Sequence, residues 1–93
     1  MILEKIGKPA MYELLAEESI ELAFAALKMA RILRGENPTP RTERDVSKDL
    51  VEEVTDVKMC LDELDIYPDK LTGERKSARF KERWLAAHGE EAV

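Results

Sequence analysis

The stretch that decides the fold reads Glu17-Glu18-Ser19-Ile20-Glu21-Leu22, and a near copy follows as Glu52-Glu53-Val54-Thr55-Asp56-Val57. Each copy has the order acid, acid, two other residues, acid, apolar residue. Residues three apart lie on the same face of a helix, with Cβ atoms about 5–6 Å apart. If both segments are helical, each copy therefore directs two carboxylates towards one point.

A heptad assignment predicts which face of each helix is buried. With Met11 and Val46 at position a, the a rows are Met11, Glu18, Ala25 and Ile32 in the first segment and Val46, Glu53 and Cys60 in the second. Glu18 and Glu53 thus interrupt apolar rows, while Glu21 and Asp56 lie at position d, at the edge of the same face. Isolated ionised carboxylates are unfavourable to bury, and close ones repel. A bound metal ion would remove both problems.

Composition favours an all-α domain, because 38% of the 93 residues are charged, 5% are aromatic, and helix formers dominate. The predicted architecture has two long antiparallel helices and a shorter C-terminal helix in a single domain, residues 1–93. A chain of this length buries only about two-thirds of its unfolded surface. We therefore expect a homodimer or homotetramer that completes a core resembling a four-helix bundle.

Breaks in the sequence predict where these elements begin and end. Residues 1–9 are expected to form an extended arm or short turn, and the first helix to run from Ala10 to Arg34, ended by Gly35. The second helix is expected to begin near Thr42 and to stop before Pro68, with Asp65-Ile66-Tyr67-Pro68 as a turn. The third should begin between Pro68 and Glu74 and reach about His88, leaving 89–93 as a frayed tail.

Charge and cysteine content exclude several classes of protein. A net charge of −5 argues against a broad basic surface for polymeric nucleic acid. The one cysteine, Cys60, permits no intrachain disulfide, and a cysteine-based zinc site is not expected. No apolar run approaches the roughly 18 residues of a membrane span. A cytoplasmic protein is the resulting expectation.

The acidic motifs offer only hard oxygen ligands, since neither contains histidine. Such donors favour Mg²⁺, with Mn²⁺ as a common substitute, and two facing helices leave room for one or two ions. Mg²⁺ shares its coordination with substrate phosphates, which points to phosphate or pyrophosphate chemistry. The alternative interpretation is an acid-rich helix face that is simply solvated or paired in salt bridges.

Together the two motifs resemble the signature of the MazG-like, all-α nucleoside triphosphate pyrophosphohydrolases, a superfamily that includes dimeric dUTPases and dCTP pyrophosphatases. The resemblance runs from about Leu14 to Leu64, a little over half the chain, and includes Ala25-Ala26-Leu27-Lys28 and Gly35-Glu36-Asn37-Pro38-Thr39-Pro40. It implies Mg²⁺-dependent hydrolysis of an NTP or dNTP to the monophosphate and pyrophosphate, with attack at the α-phosphorus. The family's metal ligands correspond to Glu18, Glu21, Glu53 and Asp56.

Other residues are candidates for the remaining roles at such a site. Glu17 and Glu52 neighbour the metal ligands and are candidates to orient or deprotonate the attacking water. Lys28, two turns beyond Glu21, is a phosphate candidate whose alternative role is to interact with the helix dipole. The substrate candidates taken from the loop and the last helix are Asn37 for base or sugar, Lys81 and Arg83 for phosphate, and Trp84 for base stacking. Their alternative roles are turn formation for Asn37 and core or interface packing for Trp84.

The chain also departs from its larger relatives. Only one helical unit is present, so a complete site is expected to need residues from a partner chain. The further acidic motifs of dimeric dUTPases have no convincing equivalent, which argues against specificity for dUTP. Two rival functions remain open: a non-catalytic helical interaction module, and a regulatory nucleotide-binding protein that does not hydrolyse its ligand.

Overall fold

The computed structural model describes residues 1–36 and 40–89, and the regular secondary structure of these segments is all α-helical, as predicted. Its four helices are α1 (Ile2–Ile6), α2 (Lys8–Arg34), α3 (Glu43–Glu63) and α4 (Lys70–His88). In these described segments, none of the helices combines the length and apolar character required to cross a bilayer. The predicted loop residues Asn37–Thr39 and the tail residues 90–93 lie outside the described residues.

The N-terminal segment differs from the prediction of an extended arm. Residues 2–6 form the short helix α1, and Gly7, with φ 85°, separates it from α2. Helix α2 begins at Lys8 rather than Ala10 and carries Pro9 in its first turn. Proline is tolerated there, because the first N–H groups of a helix have no intrahelical partner. Pro9 therefore marks a helix start.

Local capping signals fix the connection between α2 and α3. Gly35 adopts a left-handed conformation with φ 68°, and its N–H donates to the Ile32 carbonyl at 3.1 Å. Thr42 is the N-cap of α3 and forms a reciprocal capping box with Asp45, in which both N–H to side-chain oxygen distances are 3.1 Å. Both ends lie where the sequence predicted them.

Helix α3 ends at Glu63, before the turn predicted at Asp65-Ile66-Tyr67-Pro68. In this turn Asp65 adopts φ 59°, and the Ile66 N–H donates back to the Leu61 carbonyl at 2.9 Å. Aspartate tolerates this left-handed conformation better than most residues. After the turn, the Asp69 carboxylate caps α4 by accepting from the Thr72 N–H at 2.8 Å.

Helices α2 and α3 pack antiparallel along their a rows. The Leu3 N–H donates to the Glu63 carboxylate at 2.7 Å, which places the end of α3 beside the start of the chain. The buried residues of the described chain are the a-row residues Met11, Ala25, Val46 and Cys60. The heptad assignment therefore identified the contact face between the helices, which we call the seam.

The two sides of this helical pair differ in character. Because antiparallel helices meet at their a rows, the e positions of both lie on one side and the d positions on the other. The e side, here called the apolar face, is half-buried and consists of Leu15, Leu22, Met29, Leu50 and Val57. The d side carries four acids besides one leucine and one lysine, and we call it the acidic face: Leu14, Glu21, Lys28, Asp49, Asp56 and Glu63.

Helix α4 extends away from this pair and makes no extensive contact with the other described helices. The chain measures 52 × 40 × 17 Å, and its radius of gyration is 17.3 Å, against about 12 Å for a compact chain of 93 residues. Its accessible surface is 7589 Å², whereas a compact monomer of this mass exposes about 5,500 Å². A single copy thus leaves an unusually large surface uncovered.

Candidate metal centre

Two acids occupy the middle of an otherwise apolar seam. Glu18 lies between the buried Met11 and Ala25 on α2, and Glu53 between the buried Val46 and Cys60 on α3. The helical repeat places them there, because a-row residues seven apart return to the same side of a helix. Each side chain is half-buried by its apolar neighbours rather than free in solvent.

The carboxylates converge across the seam. Glu18, Glu53 and Asp56 each present one carboxylate oxygen, and these three oxygens lie within 4.8 Å of one another. The Glu21 carboxyl is within hydrogen-bonding reach of both Glu18 and Glu53. The structure therefore brings together all four residues that the sequence proposed as metal ligands, two from each helix.

Two oxygen atoms in this cluster are buried and unpaired. Glu18 Oε2 and Glu53 Oε2 have no hydrogen-bond partner within the described residues. A buried carboxylate oxygen without a partner is destabilising, since it has lost its hydration and gained no replacement. These atoms are free to accept a cation without breaking an existing hydrogen bond.

The electrostatics of the metal-free cluster favour bound protons. Burial raises the pKa of the Glu18 carboxyl above its ordinary value of 4.5, and the hydrogen bond and charge of Glu21 raise it further. Burial also raises the pKa of Glu53, followed by the negative charges of its neighbours. A hydrogen bond between two carboxyl groups needs a shared proton, which a cation would replace.

The donor set fits a hard divalent cation. Mg²⁺ binds oxygen ligands at about 2.1 Å, so oxygens on opposite sides of the ion are about 4.2 Å apart. The carboxylate oxygens of Glu18, Glu53 and Asp56, within 4.8 Å of one another, need only a small contraction to reach that spacing. No imidazole or thiolate joins the described cluster, so its chemistry suits Mg²⁺ or Mn²⁺ better than softer metals.

Cys60 lies closer to this centre than the sequence analysis recognised. Burial raises the pKa of its thiol, and the negative charges of Glu18 and Asp56 add to the effect. The thiol is therefore uncharged at neutral pH and forms part of the apolar wall. Its spacing four residues after Asp56 on α3 was the available signal, because such pairs are neighbours on a helix.

The two acids proposed to act on water lie outside the cluster. Glu17 is exposed on α2. Glu52 is also exposed and lines a shallow depression with Arg44 and Lys48. These basic residues precede it by eight and four positions, so the i, i+4 spacing already favoured a charge-paired helix surface. Both glutamates neighbour the metal ligands in sequence, but neither adds an oxygen to the cluster.

The proposed substrate residues are spread over the chain. Lys28 is half-buried on the acidic face, two turns and about 10 Å beyond Glu21 along α2. Lys81, Arg83 and Trp84 are exposed on α4, which makes no extensive contact with α2 within the described chain. Asn37 lies outside the described residues.

Trp84 has a neighbour that the sequence analysis did not name. The ring of His88 stacks on the indole with centroids 4.0 Å apart and an interplanar angle of 12°. His88 is itself exposed, and the i, i+4 spacing explains its contact with Trp84. Trp84 also lines a shallow groove with Phe80, Lys81 and Leu85.

Comparison of the chain with protein-family models, characterised proteins and solved structures finds no match.

Proposed function

We propose that this chain is a Mg²⁺-dependent nucleoside triphosphate pyrophosphohydrolase, which converts an NTP or dNTP to the monophosphate and pyrophosphate. One observation carries the proposal: the carboxylates of Glu18, Glu53 and Asp56, from two helices, converge in an apolar seam, and two of them hold buried, unpaired oxygens. A solvated acid face, the competing interpretation, would leave those oxygens in water. The resemblance of the paired motifs to MazG-like enzymes supplies the reaction class.

In this proposal the four acids hold the ion and position the triphosphate. Glu18 and Glu53 are fixed by the seam, while Glu21 and Asp56 lie on the acidic face, where a phosphate chain can approach. Bound Mg²⁺ would neutralise phosphate charge and acidify water. Glu17 or Glu52 would orient the attacking water, and Lys28, on the same face, would contact a phosphate.

The proposal includes a homodimer formed through the apolar face. That face is self-complementary, since a second copy related by two-fold symmetry presents the same leucine, methionine and valine side chains. The chain exposes about 2,100 Å² more than a compact monomer of its mass. A standard interface removes only about 800 Å² from each partner, so one such contact fits within this excess.

A nucleotide panel tests the activity. The chain is incubated with each NTP and dNTP and Mg²⁺ in H₂¹⁸O, and the products are identified by mass spectrometry. The expected result is pyrophosphate plus a monophosphate that carries the ¹⁸O, because attack at the α-phosphorus leaves the new oxygen there. Release of inorganic phosphate from the γ position would refute the proposed reaction.

Two variants separate the enzyme from its rivals. Glu53→Gln removes a central ligand and is expected to reduce turnover at least 100-fold, whereas the exposed Glu13→Gln on α2 serves as the matched control. Mg²⁺-dependent nucleotide binding without product would favour a regulatory binder. The absence of both binding and turnover, with unchanged oligomerisation in Glu53→Gln, would favour an interaction module.

A further inference from the structure

An apolar stripe on α2 is left uncovered by the rest of the chain. Ile20, Phe24 and Leu27 follow the i, i+4, i+7 spacing, and at 100° per residue they point away from the seam. Their exposed fractions are 54%, 64% and 53%. We call these three residues the outer stripe. A dimer formed through the apolar face would not cover them, because they lie on another side of α2.

Helix α4 carries an apolar edge of matching spacing. Phe80 and Trp84, four residues apart, are 69% and 43% exposed and lie on one side of the helix. The turn before α4 is fixed by the hydrogen bond from the Ile66 N–H to the Leu61 carbonyl and by the Asp69 cap. This turn directs α4 away from α2 of the same chain, so its apolar edge has no extensive contact with the described helices.

Helix α4 is basic, with six basic and two acidic residues, whereas α2, which carries the outer stripe, contains four of each. Basic residues border the Phe80–Trp84 edge on both sides, with Lys76 and Arg83 on one and Lys81 on the other. Glu17 lies between the outer stripe and Glu21 on the surface of α2, and because both sides of the Phe80–Trp84 edge carry basic residues, either direction of a docked α4 can bring one of them to Glu17.

We infer that α4 of one copy docks its Phe80–Trp84 edge on the outer stripe of a second copy. This exchange rests on the homodimer of the proposed function but not on nucleotide hydrolysis. The uncovered area supports it, since about 2,100 Å² per chain is more than twice what one standard interface removes. Docking also gives Glu17 a basic neighbour and brings Lys81 or Arg83 to the edge of the partner's acidic face.

Trp84 is the only tryptophan and reports the docking directly. In the full-length chain its emission is expected to be blue-shifted at high concentration and to shift to the red on dilution, in parallel with dissociation measured by light scattering. Phe24→Asp, at an exposed position, is expected to give red-shifted emission at every concentration. The matched control is Val51→Asp, which alters an equally exposed apolar residue on α3 and should leave the emission unchanged.

Cysteine cross-linking distinguishes a second copy from the same chain. A tagged Phe24→Cys chain is mixed with an untagged Trp84→Cys chain and oxidised, while the buried native Cys60 stays unreactive. A disulfide between the two different chains supports the exchange if it forms in higher yield than disulfides between two copies of the same variant. A single chain that carries both Phe24→Cys and Trp84→Cys provides the opposite test. If this double variant forms the disulfide within one chain at high dilution, the inference is overturned.

Unchanged Trp84 emission in Phe24→Asp would also overturn the inference, provided that circular dichroism shows intact helices. None of these readouts uses turnover or Mg²⁺. Failure of the exchange is therefore distinguishable from failure of the proposed enzyme, which the nucleotide panel measures separately.

Discussion

The proposed metal centre makes a quantitative prediction about thermal stability. At the proposed site Mg²⁺ would be bound only by the folded chain, since Glu18 and Asp56 are 38 positions apart and meet only across the seam. A ligand present at about 100 times its dissociation constant stabilises the folded state by about 2.7 kcal/mol. The unfolding entropy is about 2.1 cal/mol/K per residue, or about 195 cal/mol/K for 93 residues. The expected rise in Tm is therefore about 14 °C.

Differential scanning calorimetry with saturating MgCl₂ and with EDTA measures this rise. In Glu53→Gln the rise is expected to fall below about 3 °C, because one ligand and its charge are lost. The metal-free Tm of that variant should equal or exceed that of the parent chain, since removing one negative charge relieves repulsion among the acids. All scans need the same protein concentration, because the Tm of an oligomer depends on it.

Non-specific binding to surface acids would give a different pattern. Glu13→Gln removes an exposed acid from the same helix and should keep the full Mg²⁺-induced rise. The reasoning about the centre is wrong if Glu13→Gln and Glu53→Gln reduce the Mg²⁺-induced rise in Tm by the same small amount. It is also wrong if Mg²⁺ raises the Tm of the parent chain by less than about 2 °C. NaCl at matched ionic strength controls for general screening.

Three further predictions follow from the same structure. Burial raises the folded-state pKa of Glu18 and Glu53 above 4.5. The metal-free chain should therefore lose stability as the pH rises from 4.5 through those raised values. Urea titrations with EDTA at several pH values measure this loss of unfolding free energy. Met11→Ala should lower the unfolding free energy by about 3 kcal/mol in urea titrations, because Met11 is fully buried in the seam. Gly35→Ala should lower the unfolding free energy by about 1 kcal/mol in the same titrations. The reason is its φ of 68° alone, because a Cβ at this position meets no atom within 4 Å. A larger loss would show an additional clash.

The seam was predictable because its signal is local and repeated. Apolar residues seven apart identified Met11, Ala25, Val46 and Cys60 as the buried row, and the structure buries all four. The ends at Gly35 and Thr42 were equally accessible, since a left-handed glycine and an N-cap threonine act within a few residues.

The segments that the sequence did not predict depend on weaker or more distant interactions. Helix α1 has only five residues and is held by the hydrogen bond from the Leu3 N–H to Glu63, 60 positions away. No local pattern reports such a contact. The turn after α3 was predicted, but the left-handed conformation of Asp65 within it was not, because aspartate signals that conformation less strongly than glycine does.

The candidate site likewise has a part that the sequence predicted and a part that it did not. Glu18, Glu53 and Asp56 converge, with Glu21 close enough to interact with both glutamates, because each motif spaces its acids by three residues and the motifs face each other across one seam. The positions of Lys81, Arg83 and Trp84 relative to the acids depend on where α4 docks. In a single chain α4 makes no extensive contact with the other described helices, so neither the sequence nor one copy fixes that geometry.

The acid cluster in the seam differs from the described ion pairs of this chain. Those pairs, such as Lys58 with Asp62 at 2.8 Å and Arg41 with Asp49 at 2.7 Å, join acids to neighbouring bases. At Glu18 and Glu53, by contrast, the main influences are burial and neighbouring acids, and both raise the pKa. Two leucines would complete the apolar rows and leave no unpaired oxygen in the seam. Acids at these positions therefore support the proposed cation site over a purely structural role.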